Sequence, residues 1–234
     1  MKKKNAFTLA EVLITLGIIG IVAAMTMPTL IQKNNNRVVE TRLMKFYSAI
    51  NQAVKMAEVD YGDKKIWYQD LAGAAFDDDG NPVPGSSEQE KWFNKYIAPY
   101  MKITKSKILS DGSFVVYFPD GSALRSVSTN TRDWIFYPGA LERCINTSDY
   151  SNTNGICSFS FTFNPEPGAD IQYWLYHYNK GFEPWKWQWD GTRQALLDGC
   201  NGQGAGSRGK QYCTALIQYN GWKIPDDYPY KVSY

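Results

Sequence analysis

Lys2-Lys3-Lys4-Asn5-Ala6-Phe7-Thr8-Leu9-Ala10-Glu11-Val12 opens the chain and decides how the rest is read. Three lysines lead into an apolar run that carries a single carboxylate, Glu11, close to its start. Residues 12–32 hold no charged side chain. At about 1.5 Å per residue, that run can cross a hydrocarbon core of about 30 Å. A lone carboxylate at the mouth of such a helix is costly in lipid and points to a function. By the positive-inside rule the lysines hold the N-terminus in the cytoplasm, which places the remainder beyond the membrane. A cleaved secretory signal fits poorly, because its apolar region is about 7–15 residues and ends in a small-x-small site. Ala23-Ala24-Met25 is a poor match to that site. A plain anchor explains the length but not why Glu11 follows so closely on Phe7-Thr8-Leu9-Ala10.

The pattern resembles the processing segment of type IV pilins and type II secretion pseudopilins, specifically over residues 7–28 and more weakly to about residue 58. The resemblance implies that a prepilin peptidase cuts between Ala6 and Phe7 and N-methylates Phe7, which makes Glu11 the fifth residue of the mature chain. Gly usually precedes the cut, and Ala6 departs from that while remaining small. The resemblance also implies the partners: other pilin or pseudopilin subunits, the peptidase, and an inner-membrane assembly machinery. Glu11 would meet the Phe7 amine of a neighbouring subunit during assembly. The implied fold is α+β and pilin-like, a long N-terminal helix packed on an antiparallel sheet. Its implied location is the bacterial inner membrane, as a single pass, and then an extracytoplasmic filament.

The 234 residues suit one globular domain plus an anchor. The expected organisation is a cleaved leader over residues 1–6, an N-terminal helix over 7–60 that spans the membrane to about residue 30, and an extracytoplasmic domain over 61–234. Formal net charge is +2, and 25 basic residues less the leader's three lysines leaves 22 against 23 acidic. Nothing in that balance suggests a nucleic-acid partner, which requires a clustered basic surface.

Four cysteines fall in two equally spaced pairs, Cys144/Cys157 and Cys200/Cys213. Three connectivities are open. Two local bridges are favoured, because each closes a Gly/Asn/Ser-rich loop and suits an oxidising compartment, at roughly 3 kcal/mol per bridge. Zinc is the rival, but its cysteines are usually two to four residues apart.

Within the long helix, Gly17, Gly20 and Pro28 interrupt the apolar run, and Pro28 is expected to kink it. Beyond it, Leu43, Phe46, Tyr47, Ile50, Val54 and Ala57 share one helical face, an amphipathic half that should pack on a sheet. A short helix is expected near residues 88–100. Residues 113–118 and 123–128 read as a hairpin turned by Pro119-Asp120-Gly121. Residues 134–137 add a strand, and residues 158–163 alternate as a half-buried strand.

Trp174, Tyr176 and Tyr178 alternate along the sequence, as do Trp185, Trp187 and Trp189. In extended conformation each trio would share one face. The preferred reading is rings that cover the sheet; the rival is an exposed recognition surface at Trp185, Trp187 and Trp189.

Other motifs mislead. Asp77, Asp79, Asn81 and Glu88 fall at calcium-loop positions, but Pro82 stands where that loop needs Gly. A solvated acidic turn is the preferred reading, so no cofactor or metal is expected, with calcium as the alternative. Gly204, Gly206 and Gly209 match a dinucleotide fingerprint without the strand and helix it requires. His177, the single His, reads as structural rather than catalytic. The sequence therefore points to a minor pilin or pseudopilin, a filament subunit and not an enzyme. The alternatives are a membrane-anchored carbohydrate-binding or adhesion module and an anchored hydrolase.

Overall fold

The structure is a computed structural model that describes residues 8–67, 71–127, 132–139, 141–144, 152–203 and 210–234. The leader with Ala6, and Phe7 itself, lie outside the described residues, as does the 204–209 glycine motif.

Helix α1, Leu9–Tyr61, runs unbroken for 53 residues, or about 80 Å. It starts where the sequence supplies a capping box: the Thr8 hydroxyl accepts the Glu11 N–H, and the Glu11 carboxylate accepts the Thr8 N–H. It ends at Gly62, whose φ of 79° suits a residue without a Cβ and whose N–H donates to the Glu58 carbonyl at 3.0 Å. Pro28 sits inside this helix without ending it. The first half exposes Leu13, Ile14, Ile18, Ile19, Met25 and Leu30. The second half buries Val39, Leu43, Phe46, Ile50, Ala53, Val54 and Ala57 on one stripe.

That stripe lies on a six-stranded antiparallel meander. Its strands are β1 (Lys105–Ile108), β2 (Phe114–Tyr117), β3 (Ala123–Ser126), β4 (Asp133–Tyr137), β5 (Phe159–Phe163) and β6 (Phe182–Pro184), each paired with its sequence neighbour. Pro119-Asp120-Gly121 makes the β2–β3 turn: Gly121 takes a φ of 81°, and the Phe118 N–H donates to the Ser122 carbonyl at 2.9 Å. Alternation along the strands splits the core in two. Phe114, Val116, Trp134, Phe136, Phe159, Phe161 and Phe163 face α1, where the Phe46 ring stacks on Phe136 at 4.3 Å and meets Phe161 edge-on at 5.0 Å. Each fully buried Phe contributes roughly 1.5–3 kcal/mol. Val115, Tyr117, Ile135 and Tyr137 form a second cluster on the opposite face with Leu141 and Cys144.

Helix α2 (Lys64–Trp67) follows α1, and α3 (Glu88–Tyr96) docks Trp92 and Phe93 on the core. Ser87 caps α3 by accepting the Glu90 N–H at 3.2 Å. The remaining helices are α4 (Leu141–Cys144), α5 (Ile171–Trp174), α6 (Arg193–Cys200) and α7 (Cys213–Tyr219), of which α7 packs against α6, β5 and β6. Cys144 bonds Cys157, and Cys200 bonds Cys213.

Two sequence expectations change, and one strand is new. The strand at 158–163 is buried on both faces, not one: Ser160 and Thr162 are buried too, and their hydroxyls donate to Asn154 at 3.0 Å and Asp133 at 3.2 Å. The two aromatic trios are not extended. Trp174 ends helix α5 and a turn follows, while after Pro184 the chain turns at Trp187-Gln188, where Gln188 has a φ of 56°. Edge strand β1 has no apolar alternation to announce it, and it exists through pairing with β2.

Candidate functional site

The first candidate is the start of α1. Glu11 receives both the Thr8 N–H and the Thr8 hydroxyl on Oε2, each at 2.8 Å. The carboxylate is therefore held over the first helical turn, where orphan N–H groups and the helix dipole favour a negative charge. Downstream, the apolar side chains of residues 12–31 are largely exposed, and α1 is long and apolar enough to cross a membrane. A soluble helix would bury that surface against its own domain, so α1 presents it to lipid or to other helices. Glu11, this apolar stretch and Pro28 share one continuous element.

A second constellation centres on Glu183 of β6, where α1, the turn after α5, and α7 meet. Its carboxylate accepts the Tyr47 hydroxyl at 2.8 Å, the Tyr176 hydroxyl at 3.2 Å and the Gln218 amide at 3.0 Å. Burial first, and the Glu183 charge second, push both tyrosines well above the usual phenol range. Lys186, itself buried, donates to Gln218 Oε1 at 2.7 Å, and its ammonium lies 3.7 Å from the Tyr176 ring centroid. Burial lowers the Lys186 pKa to about 7, with Lys180 adding to the shift and Glu183 opposing it.

His177 is fully buried, and burial holds it well below its ordinary pKa. Its Nε2 accepts the Lys186 N–H at 3.1 Å, which puts the ring proton on Nδ1. The imidazole is thus neutral and fixes the backbone beyond β6. Between α1 and β6 a cleft of about 590 Å³ is lined by Asn51, Lys55, Glu58, Lys64 and Lys180.

The rival reading of an exposed recognition surface at Trp185, Trp187 and Trp189 does not meet a flat exposed platform. Trp185 is 6% exposed and packs edge-on against Trp174, while Trp187 and Trp189 are half-buried. Trp189 turns instead to Tyr176 and Tyr219. At the acidic turn, Asp77 Oδ1 accepts the N–H groups of Asp79 at 3.1 Å and Asn81 at 2.8 Å, and Glu88 accepts the Ala72 N–H at 3.1 Å. Among the described residues no group of three or more His, Cys, Asp or Glu side chains is placed to hold a metal.

The Glu183 node escaped sequence reasoning because its members are scattered from Tyr47 to Gln218 and form no motif. The signal that existed was polar side chains inside aromatic-rich segments.

Two family models match the chain. One describes the prokaryotic N-terminal methylation motif and covers residues 1–27; the other describes a family of unknown function (DUF6613) and covers residues 29–232. No curated protein and no solved structure matches it. The methylation motif is the type IV pilin and pseudopilin signal, and it sits directly ahead of a pilin-like α+β domain. The chain belongs to the family of unknown function DUF6613, and it carries the N-terminal methylation motif of the type IV pilins and pseudopilins.

Proposed function

We propose that this protein is a filament subunit, a minor pilin or pseudopilin, inserted in the inner membrane with its N-terminus in the cytoplasm. In this reading the peptidase removes residues 1–6, methylates Phe7, and leaves residues 7–60 as the assembly helix and 61–234 as the extracytoplasmic domain. The observation that carries the reading is the continuity of α1. One helix starts at the methylation motif, leaves its apolar half exposed, and buries its second half in the sheet domain. Such an element delivers a folded domain to a bundle of like helices. Its role is structural, not catalytic.

Glu11 sets the register. Cutting after Ala6 creates a cationic amine at Phe7 that stays cationic when methylated. An unpaired carboxylate in a low-dielectric surround costs several kcal/mol, so an axial stagger that brings Glu11 to a neighbour's Phe7 amine is favoured over others. The test is Glu11→Val, followed by cross-linking to the major subunit. The variant should insert and be cleaved, since its segment is more apolar, but enter filaments poorly. Wild-type incorporation would remove Glu11 from the mechanism. The bulk of the aromatic, disulfide-bonded domain favours a minor or tip position over the shaft.

A further inference from the structure

Helix α1 sets the height of everything attached to it. Its uncharged stretch ends at Gln32, so a bilayer around that stretch has its hydrocarbon boundary near Gln32. The headgroup layer adds about 5–7 Å on each side. At about 1.5 Å per residue, that layer covers α1 from residue 33 to about residue 37. A second segment is fixed at the same height. Gln32 and Asn35 both donate to the Val232 carbonyl, and Asn34 donates to the Tyr234 hydroxyl. Residues 231–234 therefore lie beside α1 at headgroup level, although 200 positions separate Gln32 from Val232.

The charged side chains of these two segments are of one sign. Lys33 and Arg37 stand one helical turn apart on α1, and Lys231 precedes Val232; all three are exposed. None of the three pairs with a carboxylate among the described residues. No Asp or Glu occurs between Glu11 and Glu40, nor within residues 228–234. Glu40 is about 12 Å further along the helix than Gln32. It is already bonded to Lys223 at 2.8 Å and to the Ile224 N–H at 3.0 Å. Tyr234, 38% exposed, adds a ring of the kind that favours the membrane interface. Lys and Arg usually concentrate on the cytoplasmic side of a membrane. In the orientation proposed above, these three stand on the other side, where only an anionic partner compensates them.

We propose that Lys33, Arg37 and Lys231 form one binding surface for the anionic phospholipid headgroups of the extracytoplasmic leaflet. The inference rests on the membrane-spanning reading of α1. Charge complementarity and height together name the occupant, since phosphate groups fill the layer in which the three cations stand. Each exposed Lys or Arg at an anionic bilayer surface gives about a fivefold preference. The attraction falls off within a Debye length of about 8 Å, so only side chains at headgroup height take part. Contact at Lys231 seats the base of the sheet domain on the bilayer beside α1. A subunit that leaves the bilayer for a filament must give this contact up.

The test uses the full chain, one copy per lipid nanodisc, so that a second copy cannot supply the contact. Electron paramagnetic resonance of spin-labelled phosphatidylglycerol and phosphatidylcholine reads how strongly each lipid associates with the chain. Wild type is expected to favour phosphatidylglycerol, and less so as salt is raised. Lys33→Gln, Arg37→Gln and Lys231→Gln should each lower that preference by about two- to fivefold. Their melting temperatures should stay near wild type, because the three side chains are exposed and unpaired. Lys2, Lys3 and Lys4 act on the other leaflet and are the same in every variant. Lys55→Gln, exposed on the same helix about 35 Å beyond Gln32, should leave the preference unchanged. Lys231 decides the matter, because only the fold brings it to the bilayer. A wild-type preference in Lys231→Gln, an equal loss in Lys55→Gln, or no preference in the inserted wild type would overturn the inference and leave the membrane reading standing. A chain that does not enter the bilayer would contradict both.

Discussion

Gln32 Nε2 donates to the main-chain carbonyl of Val232 at 3.2 Å, joining the end of the apolar segment to the last residues of the chain. Asn35 reaches the same carbonyl at 3.4 Å, and Asn34 donates to the Tyr234 hydroxyl at 3.3 Å. Val232 is 1% exposed within the main core, and the Arg42 guanidinium lies 5.3 Å from the Tyr234 ring centroid. The tail therefore clasps α1 where the helix leaves its apolar half.

Removing residues 232–234 should lower the stability of the sheet domain by about 2–4 kcal/mol, because a buried valine and its neighbouring contacts are lost together. Gly139→Val should act in the same direction. A Cβ at Gly139 would fall 2.2 Å from the Tyr234 backbone carbonyl carbon and push the tail away. Denaturant unfolding of the full chain in micelles, followed by near-UV circular dichroism, measures both. An unchanged midpoint in the truncated chain would show that the tail only rests on the helix.

The two disulfide loops should behave as one unit. A Cβ at Gly155 would lie 2.5 Å from Cys213 Sγ, and Gly155 has a φ of 75°, so the first loop is seated on the second bridge. Replacing either cysteine pair should cost about 2–5 kcal/mol in the oxidised protein. Gly155→Ala should destabilise both loops through the clash and the strained backbone. Non-reducing peptide maps should recover Cys144–Cys157 and Cys200–Cys213, and a Cys157–Cys200 peptide would contradict this arrangement.

Trp185 and Trp187 should separate in a stability measurement. Trp185→Ala removes a side chain that is 6% exposed and packs against Trp174 and Tyr212, so about 3–5 kcal/mol is expected. Trp187 is half-buried, and its truncation should cost distinctly less. Equal losses would mean that Trp187 is as much a core residue as Trp185.

Lys186 predicts a pH dependence. Its pKa is lowered to about 7 in the folded chain, against an ordinary value of 10.5. Between those values the unfolded chain binds more protons at this site, so stability from this group rises with pH above 7. The slope vanishes below pH 7, where both states hold the proton. Over pH 7–9, before the tyrosines ionise in the unfolded chain, the gain is on the order of a few kcal/mol. Lys186→Met should flatten the rise. An identical slope in the variant would place the titration elsewhere.

What the sequence announced was local. The capping residues Thr8 and Glu11, the stripe from Leu43 to Ala57, and Pro119-Asp120-Gly121 each carry their structure in neighbouring side chains. What it hid was set by distant partners. The segment Lys105–Ile108 is a strand because β2 lies beside it. Trp185, Trp187 and Trp189 alternate in the sequence, but the left-handed backbone at Gln188 turns Trp189 away to Tyr176 and Tyr219, while the Trp185 and Trp187 rings stay 6.2 Å apart. The Glu183 node joins residues far apart along the chain, and no motif marks it.

The central claim is that this chain enters a filament as a processed prepilin, and the mass of its mature N-terminal peptide tests that most directly. Mass spectrometry of protein recovered from membranes should find a peptide that begins at Phe7 and carries one methyl group on its amine. A retained Lys2-Lys3-Lys4 leader, or an N-terminus within residues 23–26, would contradict the account.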